Sequence, residues 1–349
     1  MNLSRRQFLA VSAIAGLGIV GGYLFLSSGK RRDPIIPPGN NGDDGTVNGA
    51  SKVYMVETSD RGEGVRTLLG EFQDIDFQDK SVALKANYNS ADPPPASTHL
   101  DTLGALVGYL REAGAGDVTL AERSGMGDTD TVLESMGVYD LGGSLGFDVV
   151  SLDDLGADGW EKMEADWLSW RDGFYIAKVF READRVIQAC CLKTHRYGGH
   201  FTMSLKNSVG LIAKTVPGDR HDYMDELHGS PHLRAMIAEI NAFYDVDIAV
   251  MDALEAFVTG GPDTGDLVRP GLMLASRDRV ALDAIGVAIL RSYGSTRDVM
   301  QGGVFELDQI RRAAEIGVGA SSAEDIELVP LNDGAVEKIE EIMGHLTSR

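Results

Sequence analysis

Arg185-Val186-Ile187-Gln188-Ala189-Cys190-Cys191-Leu192 is a short apolar run that gives way at once to the polar Lys193-Thr194-His195-Arg196. A run of this length, with β-branched residues early and no helical period, reads as a buried strand, and the polar residues after it as its exit loop. Similar runs recur at 52–57, 81–88, 117–121, 148–152, 247–251 and 271–275. Most are separated by segments of helical period, such as Leu100, Leu103, Leu106, Val107 and Leu110 before Gly114, and Val280, Ile285, Ala288 and Ile289 after Asp278. Strands alternating with helices predict an α/β fold with a largely parallel sheet flanked by helices. Ligands of such sheets gather at the loops leaving the carboxyl ends of the strands. Chemistry is therefore to be sought at 85–91, 122–128, 193–200, 252–266 and 276–283.

With 349 residues, 43% of them hydrophobic, the chain can bury a large core. Its 32 Lys and Arg face 53 Asp and Glu, and the first 32 residues hold five bases and no acid. The remainder therefore carries a net charge of −26. Such a body repels nucleic acid, which is excluded as a partner, and its own surface repels anionic lipid. Two adjacent cysteines cannot supply the four thiolates of an ordinary iron–sulfur cluster or of an all-cysteine zinc site, so no iron–sulfur cluster is expected.

Ser4-Arg5-Arg6-Gln7-Phe8-Leu9 opens an uncharged run from Phe8 to Leu26, and this arrangement resembles a twin-arginine export signal. The resemblance implies engagement of the twin-arginine translocation machinery through Arg5 and Arg6, and export across the cytoplasmic membrane to a periplasmic or cell-surface location. Nineteen uncharged residues nearly reach a bilayer span, and Lys30-Arg31-Arg32 follow a weak cleavage site, so cleavage and retention as a membrane anchor both stay open. Residues 33–51 are too rich in Pro, Gly, Asn and Asp to pack. The expected organisation is a signal or anchor at 1–29, a disordered linker at 30–51 and an α/β domain at 52–349.

Within the acidic body, residues 193–221 hold Lys193, Arg196, Lys206, Lys214 and Arg220 against the single acid Asp219. His195, His200 and His221 lie there as well. A basic island in such a body points to an anion site for a carboxylate, a phosphate or a phosphate-bearing cofactor. Lys193, Thr194, His195 and Arg196 are placed on the exit loop of the strand. Thr202 is a credible N-cap, which would put Lys206 and Asn207 in the first turns of a helix, near its unpaired amides. Salt bridges to the surrounding acids are the alternative use for these bases.

These residues also carry a family resemblance. Cys191-Leu192-Lys193-Thr194-His195, followed by Phe201-Thr202-Met203-Ser204-Leu205-Lys206-Asn207-Ser208-Val209-Gly210, resembles the signature of the domain of unknown function 362 family: Lys-Thr-His, a short gap, Thr, then Lys-Asn-x-x-Gly. Val82 to Asn87, with Lys85 and Asn87, Val250-Met251-Asp252-Ala253, Gly261-Pro262 and Asp278 to Asp283 extend the match over most of residues 80–320. Many relatives are described as iron–sulfur proteins with ferredoxin-type cysteines, which this chain lacks. A fainter resemblance is to the nickel-dependent lactate racemase family, which sets two histidines around a lysine bonded to an organic nickel cofactor. The spacings of His195, Lys206 and His221 are similar, although the Gly-Gly-x-Lys context is absent. The resemblance implies a metal or metal-organic cofactor, with His195 and His221 as ligands or proton carriers.

Other residues have narrower readings. Asp252, at the end of the 247–251 run, suits a metal ligand, a base or a loop cap. Asp278 reads as the N-cap of the helix from Arg279, and Asp283 inside that helix calls for burial with a basic partner such as Lys85 or Lys206. His228 and His232 are separated by Ser230-Pro231, an N-cap and first-turn proline, and so should not share a helix. Cys190 and Cys191 should point to opposite faces of their strand as buried thiols. Trp160, Trp167 and Trp170 have the spacing of one helical face, in the core or a lid. The functional expectation is a protein that binds a small anion or a metal-containing cofactor. In an enzyme, Lys206, His195, His221 and Asp252 would be catalytic, with Lys85, Asn87, Lys193, Thr194, Arg196, Asn207 and Asp283 binding the ligand. The alternative is a non-catalytic extracytoplasmic carrier.

Overall fold

The structure, a computed structural model, describes residues 50–348. Arg5, Arg6, the apolar run and nearly all of the expected linker lie outside the described residues. Among those described, no helix is long and apolar enough to cross a membrane.

All seven expected strands form, as β1 (Ser51–Glu57), β2 (Val82–Lys85), β3 (Val118–Glu122), β4 (Asp148–Ser151), β7 (Arg185–His195), β9 (Ile248–Phe257) and β11 (Leu272–Ser276). Five more were not foreseen: β5 (Trp160–Met163), β6 (Phe174–Ala177), β8 (His200–Thr202), β10 (Leu267–Val268) and β12 (Ile326–Pro330). The main sheet has the order β12-β1-β11-β9-β7-β2-β3-β4, with β8 beside β7 and β10 beside β9. The block β9-β7-β2-β3-β4 is parallel throughout, and β1 pairs with β12 in parallel. β11 runs antiparallel between β1 and β9, which makes the sheet mixed but mostly parallel.

The near-continuous apolar strands are explained by burial on both faces. Along β7, Val186, Cys190 and Leu192 enter one core while Ile187 and Ala189 enter the other. The two thiols are buried and unpaired, with Cys190 in the first of these cores. One face is covered by the helices Arg61–Leu69 and Leu100–Glu112, the latter burying Leu103, Leu106, Val107 and Leu110 at helical spacing. The other face is covered chiefly by Arg279–Ser292, whose first turn is capped by the Asp278 carboxylate accepting from the amides of Val280 and Ala281. The tryptophans do not share a helix. Trp160 opens β5, Trp167 stacks on Phe243 and Trp170 packs against Phe174, so a short strand and irregular chain, not a helical face, carry Trp160 and Trp170 into the core and Trp167 against its edge.

β7 and β9 are the longest strands, and their register shifts between Cys191↔Asp252 and Lys193↔Phe257. β7 consequently runs on through Lys193-Thr194-His195 as strand, where an exit loop was expected. The chain then returns as β8, pairing His195 with His200 and Lys193 with Thr202. This hairpin turns the carboxyl edge of the sheet into one wall of a cleft.

Candidate functional site

Lys85 ends β2 and Glu122 ends β3, and the parallel register of those strands sets them side by side. Lys85 Nζ donates to both Glu122 carboxylate oxygens, at 2.8 and 2.9 Å, and to the Ala86 carbonyl at 2.6 Å. Both side chains are buried, and burial pushes each toward its neutral form, Lys85 down and Glu122 up, against their mutual attraction. Asn207 seats the pair, with Oδ1 accepting from Lys85 Nζ at 3.4 Å and Nδ2 donating to the Lys85 carbonyl at 3.3 Å. A Cβ at position 210 would fall 2.8 Å from Lys85 Nζ, so a glycine is needed there. The Lys-Asn-x-x-Gly motif thus has a physical meaning: Asn207 and Gly210 house Lys85, while Lys206 points into the cleft.

Lys206 lies on the short helix Ser204–Asn207. Thr202 does not cap this helix. Asp283 does, accepting from the Ser204 amide at 2.8 Å and the Leu205 amide at 3.1 Å. The expected contact of Asp283 with Lys85 or Lys206 is therefore replaced by a cap, and these two helix amides are not left for an anion. Burial then works against the carboxylate more strongly than the two amides support it, and lifts Asp283 to about 7.

Among the described residues Lys206 makes no hydrogen bond or ion pair, unlike its neighbours. Lys193 donates to the carbonyls of Pro95 and Ala96, at 3.0 and 2.6 Å. Lys214 pairs with Asp153 at 2.9 Å. Desolvation, followed by the charges of Lys193 and Arg123, draws Lys206 down to about 8. Burial, followed by the charges of Lys206 and Lys193, pushes His195 far below the usual histidine range and keeps it a neutral imidazole. A Cβ on Gly199 would lie 2.9 Å from Lys206 Cε and 3.1 Å from His195 Nδ1, so lysine and imidazole are neighbours across that glycine.

Lys85, Asn87, Lys193, His195, Lys206 and Asn207 line one cleft of about 670 Å³. The other expected site residues do not. Thr194 is buried and donates to the Phe257 carbonyl at 3.1 Å. Arg196 turns outward to Asp263 and lies over the Tyr197 ring. Asp252 projects to the opposite face of the sheet, accepting from Arg61 at 2.7 Å and Thr102 at 2.9 Å, because strand alternation aims it at the helices Arg61–Leu69 and Leu100–Glu112. His221 is held by Glu226 at 2.6 Å and Arg171 at 2.9 Å, so both ring nitrogens are engaged away from the cleft.

The expected pair of histidines around Lys206 is therefore not formed, and among the described residues no three His, Cys, Asp or Glu side chains group as a metal site. The second imidazole that lines the cleft with His195 and Lys206 is that of His228, not His221. Two buried thiols on one strand do not fit an iron–sulfur cluster.

Several lining residues were missed by sequence reasoning, namely Tyr88, Glu122, Arg123, Thr202 and His228. The signal for Glu122-Arg123 was available, since a charged pair closes an apolar run in the flagged loop 122–128. Arg123 is buried, donates to the carbonyls of Ile212 and Val209 at 2.8 and 2.7 Å, and is lowered to about 10 by desolvation. His228 reaches the cleft from the helix Tyr223–Gly229, whereas His232 precedes the next helix, Leu233–Ile240, so the two share no helix, as expected.

The model of the family described as Domain of unknown function (DUF362) matches residues 82–288. No curated protein matches the sequence. Among solved structures, the lactate racemase apoprotein from Thermoanaerobacterium thermosaccharolyticum is similar at a TM-score of 0.42 and 14% identity, over 72% of this chain and 61% of that one. The chain thus spans less than two thirds of that protein. The family match covers more than half of the chain and takes in every residue lining the cleft. This protein therefore belongs to the DUF362 family.

Proposed function

We propose that the cleft binds a small anion with several oxygen acceptors, a carboxylate, a phosphate or a cofactor bearing one, and that Lys206 is its principal contact. One observation carries the reading. Nine buried side-chain nitrogen or oxygen atoms make no hydrogen bond among the described residues, and five of them belong to the cleft: Asn87 Nδ2, Tyr88 OH, Arg123 Nη1, His195 Nδ1 and Thr202 Oγ1. Leaving such a group unpaired costs about 1–3 kcal/mol. Two of these atoms can only donate, and the Lys206 ammonium adds further donors, so the set calls for an acceptor-rich ligand. Long-range attraction comes from the local basic excess inside an otherwise acidic body.

Titration calorimetry of the full-length protein with inorganic phosphate and with acetate tests this. Lys206→Ala is expected to weaken binding at least about tenfold, the loss of a charge-assisted contact, while the remote Lys162→Ala leaves it unchanged. Equal affinities for the wild type and Lys206→Ala would overturn the assignment. The pH dependence has a definite sign. Lys206 is charged below about 8 and neutral above it, so affinity falls as pH rises from 7 to 9, and this fall is absent in Lys206→Arg.

We also propose that the chain is exported through the twin-arginine route, a reading supported by Ser4-Arg5-Arg6-Gln7-Phe8-Leu9 ahead of the uncharged run. Arg5→Lys with Arg6→Lys is expected to leave the protein in the cytoplasm, as read by cell fractionation. Undiminished export of the double variant would remove the assignment.

A further inference from the structure

Resting on the reading of the cleft as an anion site, we infer that Lys206 is a nucleophilic amine that condenses with the carbonyl of a small anionic aldehyde or 2-oxo acid. Four lysines line the floor and walls of the cleft, and three are already occupied. Lys85 is locked to Glu122, Lys193 to two backbone carbonyls and Lys214 to Asp153, whereas Lys206 has no acceptor among the described residues. A lysine meant only to neutralise charge gains from a carboxylate beside it. A lysine meant to attack carbon must lose its proton readily, which removal from water and neighbouring cations accomplish.

The surroundings suit an organic anion better than an inorganic one. Met126 and Tyr197 line the same cleft, and they are two of seven large hydrophobic side chains left exposed among the described residues. They offer apolar surface to a carbon skeleton, while Arg123 Nη1 and Asn87 Nδ2 are free to take its carboxylate. The neutral imidazole of His195, next to the Lys206 tip, is placed to relay protons.

The step balances without a co-reactant. The neutral Nζ attacks the carbonyl carbon, forming a C–N bond as the C–O π bond opens, and His195 passes a proton from nitrogen to the oxygen of the resulting carbinolamine. The C–O bond then breaks, the second amine hydrogen is lost, and both hydrogens leave with the oxygen as one water. The product is an imine.

The test is incubation of the full-length protein with glyoxylate and cyanoborohydride, which reduces an imine to a stable secondary amine, followed by peptide mass mapping. At pH 7.5 a lysine lowered to about 8 holds about two hundredfold more free amine than an ordinary one. Lys206 is expected to be alkylated at least about tenfold faster than the exposed Lys52 and Lys162, to be protected by acetate, and to react faster as pH rises toward 9. Lys206→Arg is expected to bind glyoxylate by calorimetry yet give no trapped adduct at that position. Labelling of Lys206 no faster than Lys52 and Lys162, with glyoxylate still bound, would overturn the imine and leave the anion site standing. Absence of binding by glyoxylate, acetate and phosphate alike would overturn both.

Discussion

Glu122→Leu is expected to be among the most destabilising single substitutions in the domain, at about 3–5 kcal/mol, because it strands the buried Lys85 ammonium without its counter-charge. The carboxylate and ammonium are almost wholly shielded, at 1% and 2% side-chain exposure, so water cannot take over the lost interaction. The second acceptor of Lys85, the Ala86 carbonyl, and the distant Asn207 Oδ1 solvate the charge only in part. The double variant Lys85→Met with Glu122→Leu removes both charges and keeps side chains of similar size, and it is expected to recover most of the loss. Urea unfolding of the two single variants and the double variant forms a cycle, and the coupling between the residues is expected to be on the order of 3 kcal/mol. If the double variant is as unstable as Glu122→Leu alone, the cost belongs to repacking and the ion pair is not the cause. The same double variant separates support from recognition, since Lys206 and Arg123 remain and anion binding should persist.

That cycle concerns a pair of which only one member was legible beforehand. Lys85 was recognised through its motif, but Glu122 closes an apolar run like any strand-terminal acid, and only the parallel register of β2 and β3 makes it a partner. The strands themselves were legible because each is apolar on both faces and bounded by polar or glycine-rich chain. The short β5, β6, β8 and β10 lack such a run, and their pairing depends on neighbours distant in sequence. Asp252 and His221 lie away from the cleft for different reasons. Asp252 was placed just past the end of a strand, yet β9 continues to Phe257 and its alternation turns the side chain to the far face. His221 stands out in the sequence by its spacing from Lys206, but spacing along a loop does not specify direction; Glu226, five residues on, captures the ring. Lys206 itself was legible because a lysine in a basic island with no nearby acid stands out against a chain of net charge −21.

Asp283→Ala is expected to disturb Lys206 without touching the cleft. The carboxylate binds the Ser204 and Leu205 amides from a fully buried position, and its loss leaves two donors unsatisfied, at about 1–3 kcal/mol each. The four residues Ser204–Asn207 have too little intrinsic helix stability to hold their place unaided. The helix then loosens, and phosphate binding weakens along with stability even though Asp283 does not line the cleft. Asp283→Asn isolates the electrostatic part, since it keeps the shape and one acceptor but cannot titrate. In the folded protein the carboxyl is raised to about 7, against about 3.9 in the unfolded chain. Between these values the folded state holds a proton that the unfolded state has released. Its stabilising contribution is therefore full below about pH 4, is lost as pH climbs to about 7, and changes no further above that. One such proton gives a slope of at most about 1.4 kcal/mol per pH unit in that window. Urea unfolding at intervals from pH 4 to pH 8 should show wild-type stability declining relative to Asp283→Asn. Parallel curves for the two proteins would mean that the paired amides hold Asp283 ionised throughout, and that burial does not set the protonation of the residue anchoring the Lys206 helix.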